Sequence, residues 1–164
     1  MIINKVAIVN KDLANKTVIV KREFDVPLEK VWRAWTESEL LDKWWAPRPW
    51  KAATKSMDFR EGGTWLYAMI SPEDDKSWYK AEFKTIEDHK SFTTFDAFCN
   101  ENGLTDTQFP GINRSNQFFI TNTGTSIEIR LSVASEADLQ KILDIGFEQA
   151  FIAALNNLDE LLSK

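Results

Sequence analysis

Few side chains in this sequence could act as a nucleophile, a general base or a metal ligand. The 164 residues contain one histidine, His89, and one cysteine, Cys99. His89 follows two acids and precedes Lys90 in a turn-like stretch, where we expect a solvated side chain and not a catalytic one. A lone cysteine excludes an internal disulfide and a cysteine-cluster metal site, and it is consistent with a reducing compartment. The sequence therefore predicts no Ser-His-Asp catalytic set, no metal site and no cofactor.

Two carboxylates and two tyrosines remain as candidates for chemistry inside a pocket. We expect Glu82 and Asp96 at outward positions of predicted strands, but a register shift of one residue would turn either side chain inward. Burial would then raise the carboxyl pKa and allow acid or base catalysis. Tyr67 and Tyr79 could each direct a hydroxyl at a ligand oxygen. Since no spacing requires these roles, an enzyme of cyclase or hydrolase type is the least favoured function.

A glycine pair follows a group of charged residues at a predicted hairpin. Asp58, Arg60 and Glu61 precede Gly62-Gly63, and we interpret these charges as a surface ion pair or a turn-stabilising network. The glycines do not form a phosphate-binding loop, because no Gly-Lys-Ser/Thr sequence follows them.

Aromatic side chains and methionines give a stronger signal than the ionisable groups. The chain has seven tryptophans and eleven phenylalanines. Strand alternation and helical spacing place many of these side chains on inward faces, where thioethers and rings suit an adaptable apolar pocket. A filled core is the alternative, since aromatic residues at such spacings often pack against one another. The predicted cavity-lining residues are Trp35, Trp44, Trp45, Trp50, Met57, Phe59, Trp65, Tyr67, Met69, Tyr79, Phe83, Phe147 and Phe151.

The first third of the chain predicts a strand followed by two short helices. Residues 1–15 are interpreted as an N-terminal arm or an edge strand. Alternating strand-forming residues predict a firm strand from Lys16 to Phe24. Pro27 suits the first turn of a short helix, and a second short helix must end before Pro47 and Pro49, which cannot continue it.

The rest of the chain predicts an antiparallel meander and a long final helix. About six strands are expected between Lys51 and Val133, interrupted by a loop at residues 100–116. Clean alternation of apolar and polar residues in the last strand indicates a sheet covered on one face. From Ser135 to Lys164, apolar residues recur at three- and four-residue steps and predict one continuous helix, with Ser135 at its N-terminal cap.

Length, composition and charge indicate a single globular domain over residues 16–164. The formal net charge is −5 without a Lys/Arg tract, which argues against nucleic acid or an anionic membrane surface as the main partner. No apolar run approaches the roughly 20 residues that cross a bilayer, and the N-terminal residues do not resemble a signal peptide. We therefore expect a cytoplasmic protein without membrane insertion.

Four segments carry a resemblance to a known superfamily. They are Arg22 to Pro47 (REFDVPLEKVWRAWTESELLDKWWAP), Met57 to Trp65 (MDFREGGTW), Thr94 to Phe98 (TFDAF) and Gly146 to Leu162 (GFEQAFIAALNNLDELL). Together they resemble the START/birch-pollen-allergen/polyketide-cyclase (SRPBCC) superfamily, and within it proteins related to the C-terminal domain of activators of the heat-shock protein 90 ATPase. The resemblance implies an α+β helix-grip fold. In that fold a curved antiparallel sheet of about six or seven strands wraps around a long C-terminal helix and leaves a cavity between them.

Two functions follow from these observations. The first is non-catalytic binding of a small apolar or amphipathic ligand in the cavity between sheet and helix, with a tyrosine or an acid fixing its orientation. The second, which the resemblance implies, is interaction with a chaperone through an outer surface. Eukaryotic activators carry a separate N-terminal domain that makes much of the chaperone contact, whereas about fifteen residues precede the shared domain here, which argues against ATPase stimulation. Ligand binding ranks first because inward aromatic residues and methionines are enriched without a catalytic set. An exposed strand edge and the tryptophan-rich corner are compatible with a homodimer.

Overall fold

Eight antiparallel strands form one curved sheet in the computed structural model, which describes residues 6–163. The elements in chain order are β1 Ile8–Asp12, β2 Thr17–Phe24, α1 Leu28–Thr36, α2 Ser38–Trp44, β3 Lys51–Met57, β4 Thr64–Ile70, β5 Lys76–Glu87, β6 Ser91–Cys99, β7 Ile112–Ile120, β8 Thr125–Ser132, α3 Glu136–Asp144 and α4 Phe147–Leu162. Within the sheet the strands follow the order β1-β2-β8-β7-β6-β5-β4-β3. The predicted α+β helix-grip fold is confirmed.

The sheet exceeds the predicted six or seven strands because part of the N-terminal segment joins it. Strand β1 pairs antiparallel with β2, so that Asn10 lies opposite Ile19. Of the two interpretations of residues 1–15, the edge strand therefore applies to Ile8–Asp12, while residues 1–5 lie outside the described residues. By pairing with β2, this strand covers backbone groups that would otherwise form an open sheet edge.

The C-terminal helix is divided in two, which corrects the prediction of one continuous helix. Helix α3 begins as predicted, because the Ser135 hydroxyl accepts a hydrogen bond from the Asp138 backbone N–H at 3.0 Å. The chain then turns at Ile145 and Gly146, and Gly146 has a φ of +88°, a left-handed conformation that glycine adopts without steric cost. The three- and four-residue apolar spacing continues across this joint, so the spacing did not indicate the break, and the glycine itself was the one local signal for it.

The core lies between the sheet and the helices that cover it. Val20 of β2 and Ile129 of β8 are opposite one another in the ladder, and both are buried. On the helix side, Leu158 and Trp44 are completely inaccessible to solvent. The Trp44 indole N–H donates to the Ala34 carbonyl at 2.9 Å, which fixes α2 against α1 and satisfies a buried polar group.

The Gly62-Gly63 turn holds β3 and β4 together, as the sequence predicted. A Cβ atom on Gly63 would collide with the backbone carbonyl of Asp58, whereas Gly62, at a φ of +86°, has open space around it. Arg60 Nε lies 2.6 Å from Asp58 Oδ2, with both side chains exposed. The prediction of a surface ion pair at this turn is confirmed.

His89 joins α1 to the turn between β5 and β6. Its Nε2 lies 2.6 Å from a Glu29 carboxylate oxygen, and its Nδ1 lies 2.7 Å from an Asp88 carboxylate oxygen. The imidazole also stacks on Trp32, with 5.2 Å between ring centroids. The hydrogen bonds with Glu29 and then Asp88 raise the pKa of His89, because they favour the protonated ring. The contacts of His89 therefore connect α1 to the β5–β6 turn, and they lie away from the cavity described below.

Candidate ligand-binding cavity

A cavity of about 390 Å³ lies between the covered face of the sheet and the two C-terminal helices, and it is partly open to solvent. Its sheet side is formed by residues of β4 to β7, and its helix side by the joint between α3 and α4. Residues that follow α2 and residues that precede β7 complete the walls. A cavity of this order of volume with mainly apolar walls is typical of small-molecule sites.

The break between α3 and α4 shapes the helix side of the cavity. Gly146 lines the cavity, and so does its neighbour Ile145, whose side chain is 54% exposed at the rim. Phe147 and Phe151 follow one turn apart on α4 with 5.6 Å between their stacked rings. Ala150 lines the cavity beside them with only a methyl group. Small residues next to two large rings therefore leave a space that core packing does not fill.

Aromatic rings on adjacent strands form the sheet side of the cavity. Tyr67 of β4 lies opposite Tyr79 of β5, and Tyr79 lies opposite Phe98 of β6. The ring centroids are 5.5 and 4.9 Å apart, so the three side chains form a continuous wall. Trp45, which follows α2, donates its indole N–H to the Tyr67 hydroxyl oxygen at 2.9 Å. This bond fixes the orientation of Tyr67 at the inner end of the wall.

The polar end of the cavity is a buried ion pair between β6 and β7. Arg114 Nε lies 2.7 Å from Asp96 Oδ2, and the guanidinium Nη1 donates to the Asn116 side-chain oxygen at 3.2 Å. The Thr94 hydroxyl donates to Asp96 Oδ1 at 2.8 Å. The guanidinium also lies 5.0 Å from the centre of the Trp45 ring, a favourable cation–π distance. Arg114 is only 4% exposed, so its charge is compensated almost entirely by these neighbours.

Burial keeps the two cavity tyrosines in their neutral form. Desolvation raises the pKa of Tyr67 far above its usual value, and the nearby Asp96 carboxylate adds to the rise. Desolvation likewise raises the pKa of Tyr79. Both hydroxyls are therefore hydrogen-bonding groups at ordinary pH, and neither is an available base.

Within residues 6–163, no group of three or more His, Cys, Asp or Glu side chains is arranged to hold a metal ion. Over the same part of the chain, every helix is too short or too polar to cross a membrane.

The structure divides the thirteen predicted lining residues into two groups. Seven of them line the cavity: Trp45, Trp50, Tyr67, Met69, Tyr79, Phe147 and Phe151. The other six do not line it, because Trp35, Trp44, Trp65 and Phe83 are buried in the core and Met57 and Phe59 pack against that core. Strand alternation shows which side chains point inward, but helices α1 and α2 fill part of the inward face with their own side chains.

The two candidate acids have different positions. Asp96 lines the cavity, and its predicted outward position was wrong, since it lies opposite the buried Ala81 on the inward face. The sequence around it has Phe95 and Phe98 on opposite faces, so apolar alternation does not define which face is covered. Glu82 faces outward as predicted and pairs with two lysines.

The residue that sequence reasoning missed is Arg114. It lies in a polar stretch that was assigned to a loop ending at residue 116, whereas β7 begins at Ile112. Arg114, Asn116 and Phe118 are every second residue of β7, so they share one face of the strand, and all three are buried. This period of two appears in the burial of the side chains and not in the sequence, because residues 113–117 are all polar and give no apolar alternation around Arg114.

A family profile and several solved structures are similar to this chain over most of its length. The family profile "Activator of Hsp90 ATPase homolog 1-like protein" matches residues 25–163. Protein Ms6760 from Mycobacterium smegmatis is 29% identical, with 96% of each chain covered and a TM-score of 0.88. A protein from Arthrobacter aurescens is 27% identical over 94% of this chain and 90% of that chain, with a TM-score of 0.90. A protein from Staphylococcus epidermidis is 26% identical over 94% and 93%, with a TM-score of 0.83.

A search of curated protein sequences found no match. The family profile nevertheless spans most of the chain, from the residues before α1 to the end of α4, and it includes every residue that lines the cavity. The chain belongs to the family of Activator of Hsp90 ATPase homolog 1-like proteins.

Proposed function

We propose that this protein binds a small apolar or amphipathic molecule in the cavity and does not transform it chemically. The observation that carries the proposal is the cavity itself, about 390 Å³ of partly open space with mainly apolar walls and one polar end. The family and fold support a ligand-binding or a chaperone-associated module. Rigid apolar walls with a few polar groups are the usual construction of a small-molecule site.

The arrangement of the walls favours binding on energetic grounds. Each ~100 Å² of apolar ligand surface removed from water contributes about 2.5 kcal/mol. The loss of ligand freedom opposes this gain, and so does any ordering of side chains. Here Trp45 and Tyr67 are already held by a hydrogen bond, and Phe147 is stacked on Phe151. The ligand therefore meets a largely preformed surface.

The polar groups favour binding over catalysis. Asp96 already accepts hydrogen bonds from Arg114 and Thr94. The raised pKa of Tyr67 keeps its hydroxyl protonated. His89 and Cys99 are not among the residues that line the cavity. The groups at the cavity can thus orient a ligand, but they lack an activated nucleophile and a free base.

A cavity-filling variant provides a direct test. Ligands from a panel of fatty acids, aromatic compounds and polyketide-like compounds should raise Tm and change tryptophan fluorescence, since Trp45 and Trp50 line the cavity. Ala150→Phe should abolish both responses by filling the space. The matched control is Ala153→Phe, on the same helix at a position that is not in the cavity wall.

Two results would count against the proposal. One is the absence of any response of the native protein across the whole panel. The other is equal ligand affinity of Ala150→Phe and Ala153→Phe, which would place the bound molecule elsewhere on the surface. Circular dichroism of both variants should match the native spectrum, which checks that the fold is retained.

Interaction with a chaperone is the second candidate function. The family match favours it, because the family is described by activators of the Hsp90 ATPase. Co-sedimentation with the cognate chaperone and an ATPase assay test this function, and an unchanged ATPase rate at saturating protein would refute it. A chaperone contact through an outer surface should persist in Ala150→Phe, whereas ligand binding should not.

The proposal also includes a cytoplasmic location and the possibility of a homodimer. The only cysteine, Cys99, is free and half-buried, which is compatible with a cytoplasmic location. Strands β1 and β3 form the two ends of the sheet, so a homodimer through strand pairing stays a prediction. Cell fractionation and analytical ultracentrifugation measure these two properties.

A further inference from the structure

We infer that the ligand presents a neutral hydrogen-bond acceptor, such as a ketone, ester or amide carbonyl, to Arg114 and Tyr67 at the polar end of the cavity. This inference rests on the proposed ligand-binding function and adds the chemical class of the group that is recognised. It follows from the hydrogen-bonding capacity left unused by the residues at that end.

Arg114 retains unused donors. An arginine side chain has five N–H groups. Within the described part of the chain, Nε and Nη2 donate to Asp96 and Nη1 donates to Asn116, which leaves two N–H groups without a protein acceptor. The side chain is 4% exposed and lines the cavity. Because the small accessible part of this side chain faces the cavity, an acceptor atom of a ligand bound there can pair with these donors in place of water.

Tyr67 supplies a further donor at the same end. Its hydroxyl oxygen accepts the indole N–H of Trp45 at 2.9 Å, and this is the only hydrogen bond of the hydroxyl within residues 6–163, so its proton is available to a ligand. The same Trp45 ring lies 5.0 Å from the Arg114 guanidinium. Arg114 and Tyr67 therefore flank one indole ring, and their free donors lie at one end of the cavity.

The charge balance decides between a neutral acceptor and an anion. Asp96 compensates Arg114 at 2.7 Å, and Lys80, the other cation among the lining residues, is compensated by Glu82 at 3.4 Å, so neither pair has a net charge. A ligand carboxylate would place a second negative charge beside Asp96 in a partly enclosed site, which is unfavourable. Asp96 accepts three hydrogen bonds and retains one of about four lone-pair positions. The free donors are two N–H groups of Arg114 and the Tyr67 hydroxyl, and the free acceptor is one lone pair of Asp96. This excess of donors favours a ligand carbonyl over a ligand hydroxyl.

A matched set of probes tests this assignment. The fluorescent naphthyl ketone prodan is compared with an analogue that has a methylene in place of the carbonyl and with an analogue that has a carboxylate there. The ratio of ketone to methylene affinity should be about tenfold larger in the native protein than in Arg114→Met/Asp96→Leu, since a carbonyl then loses its charged donor. The control is Arg33→Met/Glu37→Leu, in an exposed ion pair, and it should leave the ratio unchanged.

Tyr67→Phe provides a second readout that does not depend on the stability of the double variant. It should reduce the same ratio about threefold and shift prodan emission to shorter wavelength, because the ketone loses one hydrogen-bond donor. The inference would be overturned if the ratio of ketone to methylene affinity were unchanged in Arg114→Met/Asp96→Leu and in Tyr67→Phe while the ketone and the methylene probe still bound. That result would leave the proposed binding function intact. Tightest binding by the carboxylate analogue would overturn the assignment of a neutral group. Failure of all three probes to bind the native protein would overturn this inference together with the binding of naphthalene-sized ligands.

Discussion

Replacing Asp96 with leucine should destabilise the protein more than replacing Asp96 and Arg114 together. In the native protein, Asp96 accepts hydrogen bonds from Arg114 at 2.7 and 3.4 Å and from Thr94 at 2.8 Å. Without the carboxylate, the Arg114 guanidinium stays charged while only 4% exposed. Removing one member of a buried ion pair typically costs about 3–5 kcal/mol, because it leaves an uncompensated charge.

For Asp96→Leu the expected loss of unfolding free energy is below this range. The Asp96 side chain is 23% exposed, so water partly solvates the pair. Asn116 and the Trp45 ring also remain in contact with Arg114 after the substitution. We therefore expect Asp96→Leu to lower the free energy of unfolding by about 2–3 kcal/mol. In Arg114→Met/Asp96→Leu both charges are replaced by apolar groups, while the buried Thr94 and Asn116 side chains each lose a hydrogen-bond partner. The loss should therefore be about 1 kcal/mol smaller than that of Asp96→Leu.

Urea unfolding followed by tryptophan fluorescence measures both free energies, and calorimetry provides an independent value. For a domain of this size, about 1 kcal/mol corresponds to about 2–4 °C in Tm, so Asp96→Leu should lower Tm by about 4–12 °C. Equal stability of the single and double variants, within about 0.5 kcal/mol, would refute the reasoning. Such a result would mean that solvent, and not Asp96, compensates the charge of Arg114.

Two further predictions concern elements outside the cavity. The raised pKa of His89 implies that its bonds to Glu29 and Asp88 stabilise the protein fully below the unfolded-state pKa of about 6.5 and lose that effect as pH rises through the higher folded-state pKa. His89→Gln should therefore lower Tm more at about pH 5.5 than at about pH 9, where only the stacking on Trp32 is lost, and a pH-independent difference would contradict this reasoning. Gly63→Ala should lower the free energy of unfolding by more than about 2 kcal/mol in a urea titration, since its Cβ would meet backbone. Gly62→Ala, which has open space but a positive φ, should cost about 1 kcal/mol, and the reverse order of the two costs would refute the account of the turn.

Most of the architecture was predictable because it depends on local patterns. The alternation in β2 and β8, the prolines around the two short helices and the Ser135 cap each act over a few residues. One feature of the fold was left open between two alternatives and another was missed, for a common reason. Pairing of β1 with β2 and the turn at Gly146 do not disturb the apolar spacing of the sequence, so this spacing did not distinguish them from the alternatives.

The candidate site was only partly predictable. An inward direction could be assigned to the aromatic residues, but whether a ring faces open space or another ring depends on distant helices. Phe83 and Tyr79 alternate on one face of β5, yet Phe83 packs with Phe59 and Phe92, whereas Tyr79 lines the cavity. Asp96 and Arg114 are eighteen residues apart, and only the pairing of β6 with β7 brings them within 2.7 Å.

The sequence by itself determined the helix-grip class, the short helices after the second strand and the supply of rings and methionines for an apolar interior. The helix-grip class followed from the resemblance of four segments to a known superfamily, while the short helices and the apolar interior followed from turn residues, caps and apolar period, which are local properties of the chain. The tertiary structure alone decided where that interior stays open and which charge is enclosed within it. The reason is physical: a cavity is the space left between the break at Gly146 and the curved sheet, and the Asp96–Arg114 pair exists only through the registry of neighbouring strands.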